Sequence, residues 1–295
     1  MFINLEGGLG NQLFQYVFGQ YLIAKNKYIG DIKYYSNNTT VRFDSLSISD
    51  FKFPIKSEFV DSEIVKKRKA RVDLSRFLSR HSKVFKNFYY HKYNIYYSGV
   101  VGFDSNLIEL RPNSRIFGYF QTHKYVDDLK TNIIAEFDLK KETELFREIK
   151  LKVLADQPLI IHVRRGDYTK SRRKIGLLDA DYYLTAINIV KNIYPQINIW
   201  VFSDDKFQCE RLLSKLPIEI STKIYPDSGL STSETLKVMS LGKAIIIANS
   251  TFSWWAAYLS PDKKIVISPD KWFRRKQDPL DLIPKDWIRV PSTWE

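Results

Sequence analysis

A chain of 295 residues can hold two domains of ordinary size, and 44% apolar residues, with 19 Phe, 18 Tyr and 6 Trp, supply packed cores and exclude a disordered protein. One cysteine, Cys209, excludes an internal disulfide, and four histidines without ligand spacing point to no structural metal. A net charge of +13 asks for an anionic partner: nucleic acid, an acidic membrane surface or a phosphorylated ligand.

The amino terminus has no basic stretch before an apolar one and no apolar run approaches the roughly 18 residues of a membrane span, so a cytoplasmic location is expected. Phe2 to Leu5 reads as a strand, Gly7-Gly8-Leu9-Gly10 as a tight loop, and Asn11 to about Ala24 as a helix burying Leu13, Phe14, Val17 and Tyr21. A strand over Ile32 to Tyr35 follows. Although Gly8 and Gly10 suggest a dinucleotide loop, Leu13 stands where the third glycine belongs, and Asp31 precedes the second strand instead of ending it. What remains is a backbone able to approach a ligand closely, with Asn11 at a helix start.

From Val41 to about Asn106 periodicity is weak. The densest charge lies at residues 66–86, where Lys66-Lys67-Arg68-Lys69-Ala70-Arg71 leads into a basic, amphipathic segment that suits either an anionic bilayer or a solvated helix face. Arg115 to Gln121 reads as a strand, Tyr125 to Phe137 as a helix and Lys140 to Leu154 as another, with a domain boundary near residue 155 at Asp156-Gln157-Pro158. This makes 1–155 one Rossmann-like domain with a basic helical insertion, and 156–295 a second.

After the boundary, strands and helices alternate regularly. The strands are Leu159 to Val163, Ile197 to Phe202, Ala244 to Ala248 and Lys264 to Ile267; the helices cover Asp181 to Ile193, a stretch through Leu216, and Ser233 to Leu241. A parallel sheet brings the strand ends to one crevice. Gathered there are His162-Val163-Arg164-Arg165-Gly166-Asp167-Tyr168, then Ser203-Asp204, and finally Asn249-Ser250-Thr251-Phe252-Ser253 opening a helix. Paired arginines match phosphate oxygens by two-point hydrogen bonding, and a hydroxyl-rich helix start offers free N–H groups to an anion. Asp179-Ala180-Asp181 resembles a metal-holding Asp-x-Asp, but a helix cap explains it better. The expected architecture is α/β, with two Rossmann-like halves and a diphosphate site. Nucleic-acid binding lacks any recognised module, and leaves a non-catalytic basic nucleotide- or RNA-binding protein as the rival from a different class.

Five motifs, at Gly7 to Tyr16, Gly118 to Gln121, His162 to Tyr168, Phe202 to Asp205 and Ile247 to Trp255, resemble the bacterial α-1,2-fucosyltransferases. The resemblance implies a GT-B fold, GDP-β-L-fucose as donor with no metal, inversion to an α-linkage, and a terminal β-galactoside acceptor, either free or lipid-linked. It also implies that Arg164 and Arg165 hold the pyrophosphate, with His162 and Asp167 bracing the loop. Ser250, Thr251 and Phe252 would meet phosphates and ribose, alongside Tyr168, Ser203, Asp204, Asn249 and Ser253. Asn11 would face the reacting centre beside Gly8 and Gly10, and Asp167 is nominated as the base. Replacing Arg165 by Lys is then expected to lower kcat on the order of 100-fold. The sequence departs from the family pattern at Gly242-Lys243-Ala244 and at Glu234, where an acid expected to contact guanine is displaced beside Thr235. Another donor or linkage on the same architecture is the nearer alternative.

Overall fold

Every strand in the two sheets of the computed structural model runs parallel to its neighbours. The structure describes residues 1–25, 32–36, 46–53, 83–104, 110–129, 137–260 and 264–295. Two compact units emerge: Met1–Lys140 with Pro279–Leu282, and Lys141–Asp278 with Ile283–Glu295. The division comes before residue 155, because the helix Glu144–Asp156 is bound into the second unit. Its first turn is capped by Thr143, whose own backbone N–H and hydroxyl donate to Glu234.

In the first unit, β1 (Phe2–Asn4), β2 (Lys33–Tyr35), β3 (Ile95–Tyr97) and β4 (Arg115–Phe117) form one sheet in the order β2-β1-β4-β3. The helix Leu9–Ala24 begins two residues earlier than its apolar pattern suggests, so Leu9 and Gly10 are helical too. Two buried glutamines fix it. Gln15 accepts from Glu6 N–H and donates to Gly118 O, while Gln12 donates to Gly7 O. β4 stops at Phe117, short of the expected Gln121, because Phe120 is left-handed (φ 51°) and stacks on Phe18 with ring centroids 3.7 Å apart. A short helix, His123–Asp127, replaces the start of the expected Tyr125–Phe137 helix, capped by the Thr122 side chain, while 130–136 fall outside the described residues. Most of the basic 66–86 segment also lies outside them; the helix Lys83–Tyr93 covers its end.

The second unit contributes β5 (Leu159–Val163), β6 (Ile199–Ser203), β7 (Thr222–Ile224), β8 (Ala244–Ile246), β9 (Ile265–Pro269) and β10 (Ile288–Val290). Their order is β10-β9-β8-β5-β6-β7. Counted from β5, this is the doubly wound order 3-2-1-4-5-6 of dinucleotide-binding sheets. Parallel strands covered on both faces read as unbroken apolar runs, and β5 is buried throughout. The helix Ala180–Ile193 packs Tyr182, Tyr183, Ala186 and Val190 onto that sheet. Two of its phenols reach the strand ends: Tyr183 donates to His162 O at 3.1 Å and Tyr182 to Ile247 O at 2.7 Å.

Candidate active site

In a doubly wound sheet, β5 and β8 diverge at the switch point, where their carboxyl ends leave a crevice. A cavity of about 260 Å³ lies at that edge, reached by His162 near the end of β5 and Arg164 just beyond it, Phe202 to Asp204 at the end of β6, Ile224 to Pro226 from the last residue of β7 onward, and Phe252 after β8. Leu230, Thr232 and Thr235 complete the lining. The stretch from Ile224 to Ser231 escaped the sequence reading, since its three-residue strand and short 3-10 turn have no periodicity; Pro226 and Gly229 were the available turn signals.

The two arginines part company. Arg164 lines the cavity, its guanidinium gripped by Asp167 Oδ1 (2.5 Å) and Asp204 Oδ2 (3.2 Å) and lying over the Tyr168 ring at 5.1 Å. Arg165 is 1% exposed and lines no part of it. Its guanidinium donates to Leu178 O (2.7 Å) and Glu295 Oε1 (3.2 Å), and its backbone N–H to Asp204 Oδ1 (2.8 Å). The expected two-arginine clamp is therefore one cavity-facing arginine and one buried brace, because consecutive residues leaving an extended strand project to opposite sides. Gly166 permits the fold-back: a Cβ there would stand 2.3 Å from Asp204 Oδ2.

Asp167, expected as a base, has a side chain 69% exposed, and its carboxylate is paired with Arg164. His162 is buried with its Nδ1 unpartnered among the described residues, as is Arg164 Nε. Burial, with Arg164 adding to it, pushes the imidazole down to about 3, so it is neutral near pH 7. Tyr168 donates to Asn249 O at 3.1 Å and is pushed up to about 12 by burial.

Several residues expected to touch a ligand are spent on the protein. The Asn249 amide donates toward Ile175 O (3.3 Å), Gly176 O (3.4 Å) and Trp272 O (3.1 Å). Ser253 donates to Ala248 O and Ser250 O. Glu234, expected at the guanine, instead closes a capping box with Ser231 and accepts both Thr143 bonds. Burial raises its pKa, but these bonds outweigh burial and hold it below the usual carboxylate value. Ser203 exchanges bonds with the Asp205 backbone while lining the cavity. Ser250 and Thr251 stand at the N-terminus of the helix Thr251–Tyr258; within that segment, Phe252 is the residue on the cavity wall, with its ring 5.7 Å from His162. Asp179 caps the helix after it through Asp181 and Tyr182 N–H, the cap reading of Asp-x-Asp.

In the first unit, Gly7 is left-handed (φ 80°) and Gly8 is the N-cap of the helix that carries Gly10. Asn11 Oδ1 accepts from Gln121 Nε2 at 2.8 Å, joining two of the motif segments. Glu6 Oε1, Gln12 Oε1 and Gln121 Oε1 are buried in the same unit without a partner among the described residues. His123 pairs with Asp127 at 2.6 Å.

The model of glycosyl transferase family 11 matches residues 1–290. The chain belongs to this family. It is thus a glycosyltransferase, as the motif resemblance implied. An α-1,2-colitosyltransferase of Escherichia coli is 29% identical over 97% of both chains, and the O-antigen biosynthesis glycosyltransferase WbnK of Escherichia coli is 28% identical over 98% of this chain and all of its own. The galactoside 2-alpha-L-fucosyltransferase Sec1 of Mus musculus is 24% identical over 60% of this chain and 52% of its own. Among solved structures, ADP-heptose LPS heptosyltransferase II of E. coli superposes with a TM-score of 0.50 at 11% identity, covering 98% of this chain and 89% of that one. That likeness is one of fold, the GT-B type.

Proposed function

We propose that this family 11 enzyme transfers L-fucose from GDP-β-L-fucose, with inversion, to the 2-hydroxyl of a terminal β-galactoside in a bacterial surface oligosaccharide. The observation that carries the reading is Arg164, held by two carboxylates at the mouth of a cavity on the carboxyl edge of a dinucleotide-type sheet. Breaking a sugar–diphosphate bond throws negative charge onto the leaving phosphate, and a preorganised guanidinium is suited to receive it. The apolar wall of Ile224, Tyr225, Pro226, Leu230 and Phe252, with the Thr232 and Thr235 hydroxyls, suits a planar base and ribose. Neutral His162 adds a polar ring without charge. Asp167, tied to Arg164, keeps that guanidinium oriented, and its exposed carboxylate is the nominated base for the acceptor hydroxyl. Asn11, with Gly8 and Gly10, forms the acceptor-side element. No metal is needed in this scheme, because Arg164 and the helix start beginning at Thr251 supply the positive charge.

The relationship to an α-1,2-colitosyltransferase supports a second reading in which the donor is the GDP derivative of colitose, the 3-deoxy counterpart of L-fucose. Purified protein should be incubated with either donor and a panel of β-galactosides, with and without EDTA, and the product linkage read by NMR. Transfer of fucose to the 2-position that survives EDTA is expected. Turnover of the colitose donor alone selects the second reading, loss with EDTA overturns the metal-free scheme, and hydrolysis without transfer overturns both.

A further inference from the structure

A concentration of positive charge outside the cavity lies on the second unit, where Arg172, Arg173, Arg274 and Arg275 line a separate concavity of about 500 Å³ with Glu295. It shares no lining residue with the first cavity. The fold assembles this cluster deliberately. Arg172 and Arg173 follow the helix Tyr168–Ser171, 102 residues before Arg274 and Arg275, yet Arg274 N–H donates to Ile175 O (3.0 Å) and Arg275 N–H to Lys174 O (3.1 Å). The Asn249 amide ties both segments together through the Ile175, Gly176 and Trp272 carbonyls. Arg274 Nη1 donates to Glu295 O at 2.6 Å, while the Glu295 side chain is taken by Arg165.

Among the described residues no carboxylate forms an ion pair with Arg172, Arg173 or Arg275, and exposed Lys174 and Lys276 flank them. Like charges brought together by backbone bonds repel one another, and the arrangement is relieved by an anion that accepts several guanidinium forks at once. Phosphate and diphosphate groups have the oxygens and the charge to do so; a single carboxylate engages one fork.

We infer that this arginine concavity is a second anion site, which binds a phosphate or diphosphate group carried by a molecule other than the sugar donor. The site does not depend on the donor identity proposed above. Two sources share this chemistry: a soluble or carrier-linked diphosphate, and a phospholipid headgroup.

The test uses the full chain and the triple variant Arg172→Gln/Arg173→Gln/Arg275→Gln, whose exposed side chains make no structural bond, so its thermal midpoint should match that of the parent protein. Calorimetric titration with inorganic pyrophosphate should show two classes of site, one lost in Arg164→Ala and the other weakened at least tenfold in the triple variant. Co-sedimentation with phosphatidylcholine vesicles containing 30% phosphatidylglycerol forms the second arm; binding that the triple variant loses, and that pyrophosphate displaces, identifies a headgroup as one source. Pyrophosphate isotherms identical in parent and triple variant overturn the inference. Vesicle binding that the triple variant loses but that pyrophosphate does not displace also overturns it, in favour of a diffuse charged surface.

Discussion

The lining of the cavity and the layer immediately behind it are built from the same short motifs, yet they use their residues in opposite ways. On the lining, Arg164, His162 and Phe252 turn toward open space, and two of those side chains retain a polar atom with no partner among the described residues. Behind it, Arg165, Asn249, Ser253 and Glu234 spend their hydrogen bonds on backbone carbonyls, N–H groups and neighbouring side chains. Motif residues therefore divide into those that meet a ligand and those that hold the first group still. A family pattern alone does not separate the two.

Substitutions separate them. Arg164→Ala should reduce kcat by roughly 100- to 1000-fold with little change in thermal midpoint, since it removes a charge aimed at the leaving group; steady-state kinetics on the folded variant check this, and near-normal turnover removes Arg164 from the chemistry. Arg165→Met should do the reverse, costing about 1–3 kcal/mol of stability by leaving Leu178 O unsatisfied and the turn unbraced, while turnover per folded molecule falls less than about tenfold. Urea titration and active-site counting together measure it, and a 100-fold loss at full stability would restore the two-arginine clamp.

His162 belongs to both regions, so its effect depends on pH. Its folded pKa lies below the unfolded value of 6.5, so its contribution is complete above pH 6.5 and is lost as pH falls toward about 3. Unfolding free energy should drop by up to about 1.4 kcal/mol per pH unit between pH 6 and 5, and His162→Gln should flatten that slope. Comparing the two proteins in urea at pH 7, 6 and 5 tests it above the range where Glu234, whose pKa is lowered, begins to protonate. The smallest effect is expected at Glu234→Ala, about 1 kcal/mol from the lost capping box and the Thr143 bonds, seen as a lower thermal midpoint with donor KM unchanged.

Much of the second unit was legible because buried parallel strands write themselves as apolar runs. Leu159–Val163 is found as expected, and the helix Ala180–Ile193 begins one residue early at the cap Asp179 supplies. The three-residue strands at Ile95, Thr222 and Ile288 left no such run, and missing the one at Thr222 hid a wall of the cavity. Alternation along an extended chain would have separated Arg164 from Arg165; reading them as a pair overlooked it. The fate of Asn249 had no local signature, since its three carbonyl partners lie 23 to 74 residues away.

That asparagine has a dynamic consequence. One side-chain amide fastens the turn after β8, the segment after the Tyr168–Ser171 helix and the stretch at Trp272, so none of the three can detach without breaking bonds to the others. Their amide hydrogens should exchange with solvent as a single cooperative block. In Asn249→Ala that block should dissolve into segments exchanging at separate rates, a change readable by mass spectrometry even where the average structure is preserved.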